Sequence, residues 1–214
     1  MGRRALRKLD PELDLSEYLY ELEGAPQPLN PTQFFGRSAP LEIEVGSGKG
    51  LFLQTVAASH PDHNYLGVEI AKKYAKYCAA RLARQSLANA KMISGDAGRL
   101  FQAWLADEVV TAVHVYFPDP WWKKRHKKRR VMNESFIRQI ERVLARGGEL
   151  HFWSDVEEYF QSTLELIAAS TSLRGPVIEQ EREANHDLDF RTHFERRFRL
   201  GNQPVYRALF VRPP

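Results

Sequence analysis

The sequence predicts an α/β protein with a doubly wound, mostly parallel sheet and a C-terminal antiparallel hairpin. Five short apolar segments that are typical of strands alternate with segments of helical periodicity. An acidic residue lies at or just after the end of each segment: Glu44, Glu69, Asp96, Asp119 and Asp155. Because such sheets bind ligands at the carboxyl ends of their strands, we expect these five carboxylates to meet at one edge.

Length and composition fit one sizeable globular domain. The chain has 214 residues, of which 43% are hydrophobic and 27% charged. Its single cysteine, Cys78, excludes an intrachain disulfide. No stretch is apolar enough to span a membrane, and the N-terminus lacks the apolar core of a secretory signal. These observations predict a cytoplasmic protein without membrane contact.

Residues 1–40 contain five prolines and no sustained periodicity. We expect a partly flexible N-terminal arm here, with a short helix near Leu15–Glu21, followed by one domain over residues 41–214.

The domain begins with a strand, a glycine turn and a helix, which is the arrangement of nucleotide-binding sheets. Leu41–Val45 alternates apolar and acidic residues, Gly46–Gly50 forms the turn, and a helix follows from Leu51. The turn lacks the third glycine of the dinucleotide fingerprint, since Leu51 takes that place. It is not a phosphate loop either, because Gly50 follows Lys49 where Ser or Thr is required.

Three further strands follow, at Asn64–Glu69, Lys91–Ser94 and Thr111–Phe117. Helices are predicted between them, over about 72–87 and from Gly95 to about 105. No internal repeat interrupts the alternation.

In the second half, Asn133 is suited to cap a helix that Gly147-Gly148 ends. A fifth strand is predicted at Glu149–Trp153. The capping-box spacing of Ser154–Glu157 then predicts a helix to about residue 169. Residues 170–190 are expected to form a loop, and Thr192–Leu200 and Val205–Val211 the terminal hairpin.

The stretch Val115–Arg130 reads VYFPDPWWKKRHKKRR. Pro118 and Pro120 end the strand and hold Asp119 in a stiff bend. All eight positions from 123 to 130 are basic, and without them acidic residues outnumber Lys and Arg. Each feature alone is typical of a turn or a solvated loop. Their adjacency favours a site that docks a polyanion beside a fixed carboxylate.

The strand-end acids also indicate the class of ligand. A carboxylate at Glu44 would repel a pyrophosphate and would suit a ligand that is cationic there. Glu69 is placed to accept hydrogen bonds from ribose hydroxyls, and Asp96 to meet an adenine amino group. S-adenosylmethionine fits all three.

These residues carry a family resemblance. The segment Glu44–Gly50 resembles the first motif of class I methyltransferases. The segment Tyr116–Trp121, with Lys123 and the run from His126 to Arg130, resembles the signature of bacterial tRNA (guanine-N7)-methyltransferases. Asp155 and Thr192–Glu195 match further family positions, except that the family usually has Lys where this chain has His193.

The resemblance implies a Rossmann-like class I methyltransferase fold and methyl transfer from S-adenosylmethionine to N7 of the variable-loop guanine of tRNA, forming 7-methylguanosine. It implies cofactor contacts by Glu44, Gly46, Gly48, Glu69, Asp96 and Asp119. Asp119 is also the implied catalytic residue. It implies RNA or guanine contacts by Lys123, Arg125, His126, Lys127, Lys128, Arg129, Arg130, Asp155, Thr192, His193, Phe194 and Glu195.

Guanine N7 has a free lone pair, so its methylation depends on alignment with the methyl donor and needs no general base. We expect the Asp119 carboxylate to stabilise the positive charge that develops on the base. The alternative is that Asp119 only shapes the bend and binds the cofactor. Trp121 and Trp122 either stack on a base or pack on the protein.

Three other functions are weighed against this one. A NAD-dependent oxidoreductase leaves the basic run unexplained, and a non-catalytic RNA-binding module leaves the five acids without a role. A methyltransferase of another RNA guanine would share the motifs. No histidine spacing indicates a metal site, and the sequence leaves monomer and homodimer both open.

Overall fold

The computed structural model of the protein describes residues 6, 8–122, 124–178 and 190–214. Within these residues one sheet has the strand order β1-β4-β3-β2-β5-β6-β8-β7. The strands are β1 Leu19–Glu21, β2 Leu41–Val45, β3 Asn64–Glu69, β4 Ala90–Ser94, β5 Val110–Tyr116, β6 Leu144–Ser154, β7 Arg174–Ile178 and β8 Tyr206–Val211. The helices are α1 Pro31–Phe35, α2 Leu51–Ser59, α3 Lys72–Arg84, α4 Ala97–Ala103, α5 Glu134–Val143, α6 Glu157–Ser170 and α7 His193–Leu200.

The strands from β1 to β6 pair in parallel, while β8 pairs antiparallel with both β6 and β7. The predicted doubly wound, mostly parallel sheet with a C-terminal antiparallel pair is confirmed. The strand order reverses between β2 and β5, which are neighbours although two strands separate them in sequence. The crevice outside the carboxyl ends of β2 and β5 is therefore where a ligand of this fold binds.

Helices cover both faces of the sheet because the strands are apolar on both sides. In β3, Leu66 and Val68 belong to one buried cluster and Tyr65 to another, as alternation along a strand requires. The first cluster includes apolar residues of α4, α5 and α6, and the second those of α2 and α3. The parallel strands are thus fixed from both faces, which holds their carboxyl ends in place.

The N-terminal segment adds an edge strand, and the predicted short helix near Leu15–Glu21 is wrong. Leu19–Glu21 forms β1 beside β4. The buried Lys91 of β4 donates to the Tyr20 hydroxyl at 3.1 Å, and its ammonium lies 5.3 Å from the centre of the Phe34 ring. This cation, enclosed by aromatic rings, attaches residues 17–35 to the sheet. The proposed boundary near residue 40 stays a prediction.

The C-terminal elements differ from the prediction in position and in type. Residues 174–178, predicted as loop, form β7 and supply the antiparallel partner of β8. Residues 193–200, predicted as a strand, form α7. Helix α6 begins at Glu157, because Ser154 is still the last residue of β6. Strand β6 also includes Gly147 and Gly148, which were predicted only to end the preceding helix.

No helix among the described residues combines the length and the apolarity needed to cross a membrane.

Candidate active site

The glycine loop after β2 forms the floor of the crevice. Gly46, Gly48 and Gly50 have φ angles of +78°, +53° and +71°, a region that other residues rarely adopt. A side chain at Gly50 would overlap Cys78, whose Sγ would lie 2.1 Å from the added Cβ. A Cβ at Gly46 would meet nothing within 4 Å. The loop is therefore packed tightly on α3 at one end and open at the other.

Glu44 is the most unusual acid of the site. Glu44 is 4% exposed, and its Oε2 atom is buried without a hydrogen-bond partner. Burial, with a smaller contribution from the charge of Glu69, raises the pKa of the Glu44 carboxyl to about 8. An unpaired buried carboxyl oxygen beside an open glycine loop fits a ligand that brings a cationic donor.

Glu69, the last residue of β3, connects the loop to the next strand. Its Oε2 accepts from the backbone N–H of Gly48 at 2.9 Å, and its Oε1 from that of Ala71 at 2.8 Å. Each oxygen has further lone pairs for a ligand hydroxyl. The adjacent Ile70 is 71% exposed, a large apolar surface that the sequence reasoning missed.

Asp96 follows β4, which pairs with β3, and it therefore lies near Glu69. The N–H of the preceding Gly95 donates to the Glu69 carbonyl at 3.1 Å. The Asp96 Oδ1 caps α4 by accepting from the Arg99 N–H at 3.0 Å. Asp96 is exposed, so its carboxylate remains accessible.

The bend that carries Asp119 starts directly after β5. Both of its ends have left-handed backbone, with φ of +51° at Phe117 and +44° at Trp121. Such a conformation costs on the order of 1–3 kcal/mol per residue and persists only where surrounding contacts enforce it. The Phe117 ring packs against those of Phe194 and Phe198, with ring centroids 6.0 and 5.7 Å away, and these two rings are themselves 6.5 Å apart. Asp119 itself is exposed, at the mouth of the crevice.

The basic run folds into a 3₁₀ helix, Lys124–Arg129, with an inner and an outer side. Arg125, Lys128 and Arg129 are exposed, as is Trp122 at 68%. His126 and Arg129 turn back to Trp121: the rings of His126 and Trp121 are 5.8 Å apart, and the Arg129 guanidinium lies 5.2 Å from the indole centre. Lys123 and the side chain of Lys127 lie outside the described residues.

Helix α7 lies against this bend, and its first residues hold it in place. Thr192 caps the helix by accepting from the Glu195 N–H at 3.0 Å. The buried Glu195 accepts from Arg207 at 3.1 Å through Oε1 and from the Arg191 N–H at 2.7 Å through Oε2. Phe194 is 39% exposed, so it can meet a substrate as well as Phe117. In this structure the side chains of Thr192 and Glu195 make hydrogen bonds within the protein.

His193 connects α7 to the glycine loop through Arg81, a residue that the sequence reasoning missed. The Arg81 guanidinium donates through Nη1 to the Lys49 carbonyl at 3.1 Å and lies at the same distance from His193 Nε2. Burial, and then the positive charge of Arg81, lower the pKa of His193 to about 4. A neutral His193 accepts this hydrogen bond, whereas the Lys that is usual in the family has no acceptor.

Asp155, directly after β6, is half-buried. Burial raises the pKa of its carboxyl, while the charge of Arg197 on α7 opposes the shift. No cluster of three or more His, Cys, Asp or Glu side chains in the described part of the chain is arranged to hold a metal ion.

The predicted residues thus fall into two connected groups. Gly46, Gly48, Glu44, Glu69 and Asp96 lie around the ends of β2, β3 and β4. Asp119 and the described basic residues lie beyond β5, with α7 and Asp155 beside them. Arg81 joins the two groups. Arg81 lies three residues after Cys78 and seven after Tyr74, so helical spacing puts it beside the apolar face of α3, a signal that the sequence reasoning did not use.

Comparisons with known proteins agree with this architecture. A family model described as "Putative methyltransferase" matches residues 38–208. A tRNA (guanine-N(7)-)-methyltransferase of Rhodopirellula baltica is 53% identical over 216 residues, which cover 98% of this chain and 80% of that protein. One of Geobacillus kaustophilus is 32% identical over 182 residues, covering 85% and 83%.

Solved structures share the fold at low sequence identity. The 16S rRNA methyltransferase KamB has a TM-score of 0.64 and 16% identity, over 85% of this chain and 92% of that chain. Phosphoethanolamine N-methyltransferase 2 of Haemonchus contortus, in complex with S-adenosyl-L-methionine, has a TM-score of 0.55 and 12% identity, over 83% and 49%. These structures show the fold, whereas the sequence matches show the family: the chain belongs to the family of tRNA (guanine-N(7)-)-methyltransferases.

Proposed function

We propose that the protein transfers a methyl group from S-adenosylmethionine to N7 of the variable-loop guanine in tRNA. The observation that carries the proposal is the buried, unpaired Glu44 oxygen at the glycine loop, one strand away from a bend that presents Asp119 beside a basic helix. The relatives' names supply the reaction, and the geometry accommodates it. The same names support an enzyme that acts on tRNA, and we place its action in the cytoplasm.

S-adenosylmethionine, when bound, supplies the methyl group. Glu44 suits the cationic amino group of its methionine portion, because ionisation of the carboxyl would then satisfy Oε2. Gly46 and Gly48 leave room for close approach. Glu69 and Asp96 have free lone pairs for ribose hydroxyls and the adenine amino group. The exposed Ile70 offers an apolar surface for the adenine ring.

The chemistry requires alignment and charge stabilisation. Guanine N7 attacks through its own lone pair, so no residue has to remove a proton before attack. The methylated base carries a positive charge, and the exposed Asp119 carboxylate is positioned by its bend to stabilise that charge as it develops.

The outer side of the basic helix suits the phosphates of a folded RNA. Arg125 and Lys128 are exposed there, and the half-exposed Phe194 and the exposed Trp122 offer faces on which bases stack. N7 is shielded in folded tRNA, so the target base has to be exposed before it reaches Asp119. We propose that Asp155 and the segment Thr192–Glu195 border the guanine.

Labelled methyl transfer tests the function. The protein is incubated with S-adenosylmethionine carrying a labelled methyl group and with bulk tRNA, and the tRNA is digested to nucleosides. We expect the label in 7-methylguanosine. Label in another nucleoside, or transfer only to other RNA, would refute the assignment, and calorimetric binding of NAD but not S-adenosylmethionine would indicate an oxidoreductase.

A further inference from the structure

Arg130 belongs to the basic run by sequence but not by structure. The 3₁₀ helix ends at Arg129, and the Arg130 side chain turns away from the outer side of the run. Its Nε donates to the Pro120 carbonyl at 2.8 Å. Its guanidinium lies 4.4 Å from the centre of the Tyr159 ring. Arg130 is half-buried, unlike Arg125, Lys128 and Arg129, which are exposed.

These two contacts connect the bend to a rigid part of the molecule. Tyr159 is 1% exposed and lies in the first turns of α6, where it packs on Phe152 of β6 with ring centroids 6.1 Å apart. Pro120 is the residue between Asp119 and the left-handed Trp121. Arg130 therefore connects the backbone next to Asp119 to a buried aromatic platform.

The bend needs such a contact because its backbone is strained at both ends. At Phe117, the stacked rings of Phe194 and Phe198 supply it. At the other end, the contacts are the hydrogen bond from Arg130 to Pro120 and the approach of Arg129 and His126 to Trp121. Left-handed residues at a functional site persist only when their surroundings hold them.

We infer that Arg130 is a positioning residue for methyl transfer, which fixes the Asp119 bend through Pro120 and Tyr159, and is not a phosphate ligand. This inference rests on the proposed function. It divides the basic run into an outer side that docks RNA and an inner side that shapes the site. Arginine suits the inner role, since its planar group can donate from Nε while its face stacks on a ring.

The test compares Arg130→Lys with Lys128→Ala. The Arg130→Lys variant keeps the charge but loses the Nε hydrogen bond and the planar stack. With cofactor and tRNA saturating, we expect its single-turnover rate to fall at least about tenfold. Its tRNA affinity, and the dependence of that affinity on salt, should match the wild type. The Lys128→Ala variant should instead bind tRNA more weakly and with a salt slope lower by about one, the loss of one phosphate contact.

A rate equal to wild type in Arg130→Lys would overturn the inference, because lysine replaces arginine at a simple phosphate contact. Arg130→Ala gives a second test that needs no methyl transfer: a salt slope reduced as much as in Lys128→Ala would also overturn it. Thermal unfolding of each variant checks that the fold is intact. A wild-type protein that does not methylate tRNA would refute the proposed function, and the Arg130→Ala slope would still decide the role of this arginine.

Discussion

Glu44 carries the clearest electrostatic signal at the scale of single residues. Because the Glu44 carboxyl is buried, its pKa in the unliganded protein is about 8, so the group is mostly protonated at neutral pH. A cationic ligand favours the ionised form, and binding then releases a proton. We predict that S-adenosylmethionine affinity rises from pH 6 to pH 7.5, and that calorimetry in buffers of different ionisation enthalpy detects the released proton.

The control is Glu44→Gln, which keeps the shape of the side chain and removes its proton equilibrium. This variant should bind the cofactor more weakly and without the pH dependence. An equal pH dependence in both proteins would show that another group binds the cation.

Asp119 carries the second prediction at this scale. The change Asp119→Asn keeps the bend, which the flanking prolines and Arg130 hold, and removes the negative charge. If the carboxylate stabilises the cationic base, its benefit is largest in the transition state. Single-turnover methyl transfer at saturating cofactor and tRNA should slow at least about tenfold, which corresponds to roughly 1.4 kcal/mol. A wild-type rate would leave Asp119 as a residue of the bend only.

The sequence predicted strand-end acids better than the contacts between them. Glu44 and Glu69 stand out because an acid that ends an apolar strand is visible in the order of residues. Arg81 was not singled out and Arg130 was predicted as an RNA contact, since their contacts are with distant partners: a loop carbonyl and His193 for Arg81, and Tyr159 for Arg130. Such partners come together only through the tertiary fold.

Helix α7 shows how Glu195 acts at the scale of an element. The Glu195 side chain is 5% exposed and pairs with the equally buried Arg207 of β8. Removal of one partner of a buried pair leaves an uncompensated charge, which costs about 3–5 kcal/mol. We predict that Glu195→Ala lowers the free energy of unfolding in urea by about this amount.

Glu165, which is exposed on α6, provides the matched control. Glu165→Ala should change the free energy of unfolding by no more than about 0.5 kcal/mol. If the two variants were equally stable, Glu195 would not be the residue that fixes α7 to the sheet.

The helix-start signature shows why some elements were predicted and others were not. The pattern Ser/Thr-x-x-Glu occurs at 154–157 and at 192–195, and once more inside α6 at 162–165. At 192–195 it does begin a helix, which we misread as a strand because apolar and charged residues nearly alternate there. At 154–157 the Ser154 hydroxyl instead accepts from the Val156 N–H at 3.1 Å while Ser154 ends β6. The short pattern is ambiguous, and packing decides between its outcomes.

A chain of buried or half-buried polar side chains on β2 and β5 connects His63, just before β3, to Arg191, just before α7. Glu42 lies between His63 Nδ1 and His114 Nε2, each 2.7 Å away. The Tyr116 hydroxyl lies 2.9 Å from His114 Nδ1 and accepts from Arg191 at 2.8 Å. These contacts are consistent with a neutral His114 that donates to Glu42 and accepts from Tyr116. Burial lowers the pKa of His114 to about 4.

The lowered pKa of His114 gives a pH dependence of stability whose sign follows directly. Between pH 6.5 and pH 4 the unfolded chain binds a proton at His114 that the folded chain does not, so this residue's contribution falls as the pH falls. Its size is on the order of 3 kcal/mol over the window. Glu44 acts in the opposite direction from pH 4.5 to 8, because its folded pKa is raised, whereas the lowered pKa of His193 acts in the same direction as that of His114.

Because these contributions overlap, the effect of His114 is isolated by comparing the unfolding free energies of the wild type and a His114 variant. The variant His114→Gln cannot take up the proton, so the difference in unfolding free energy between wild type and variant should shrink as the pH falls from 6.5 to 4. Urea unfolding at both ends of the window measures it. A difference that stays constant with pH would mean that His114 is not held neutral in the fold.

At the scale of the whole molecule, the crevice at the ends of β2 and β5 is the proposed site where N7 of a tRNA guanine is methylated. The most direct measurement compares labelled methyl transfer to two transcripts of one tRNA, one made with guanosine and one with 7-deazaguanosine, which has carbon in place of N7. We predict transfer to the guanosine transcript and none to the 7-deazaguanosine transcript, although both bind the protein. Equal transfer to the two transcripts would contradict it, because the acceptor would then be another atom.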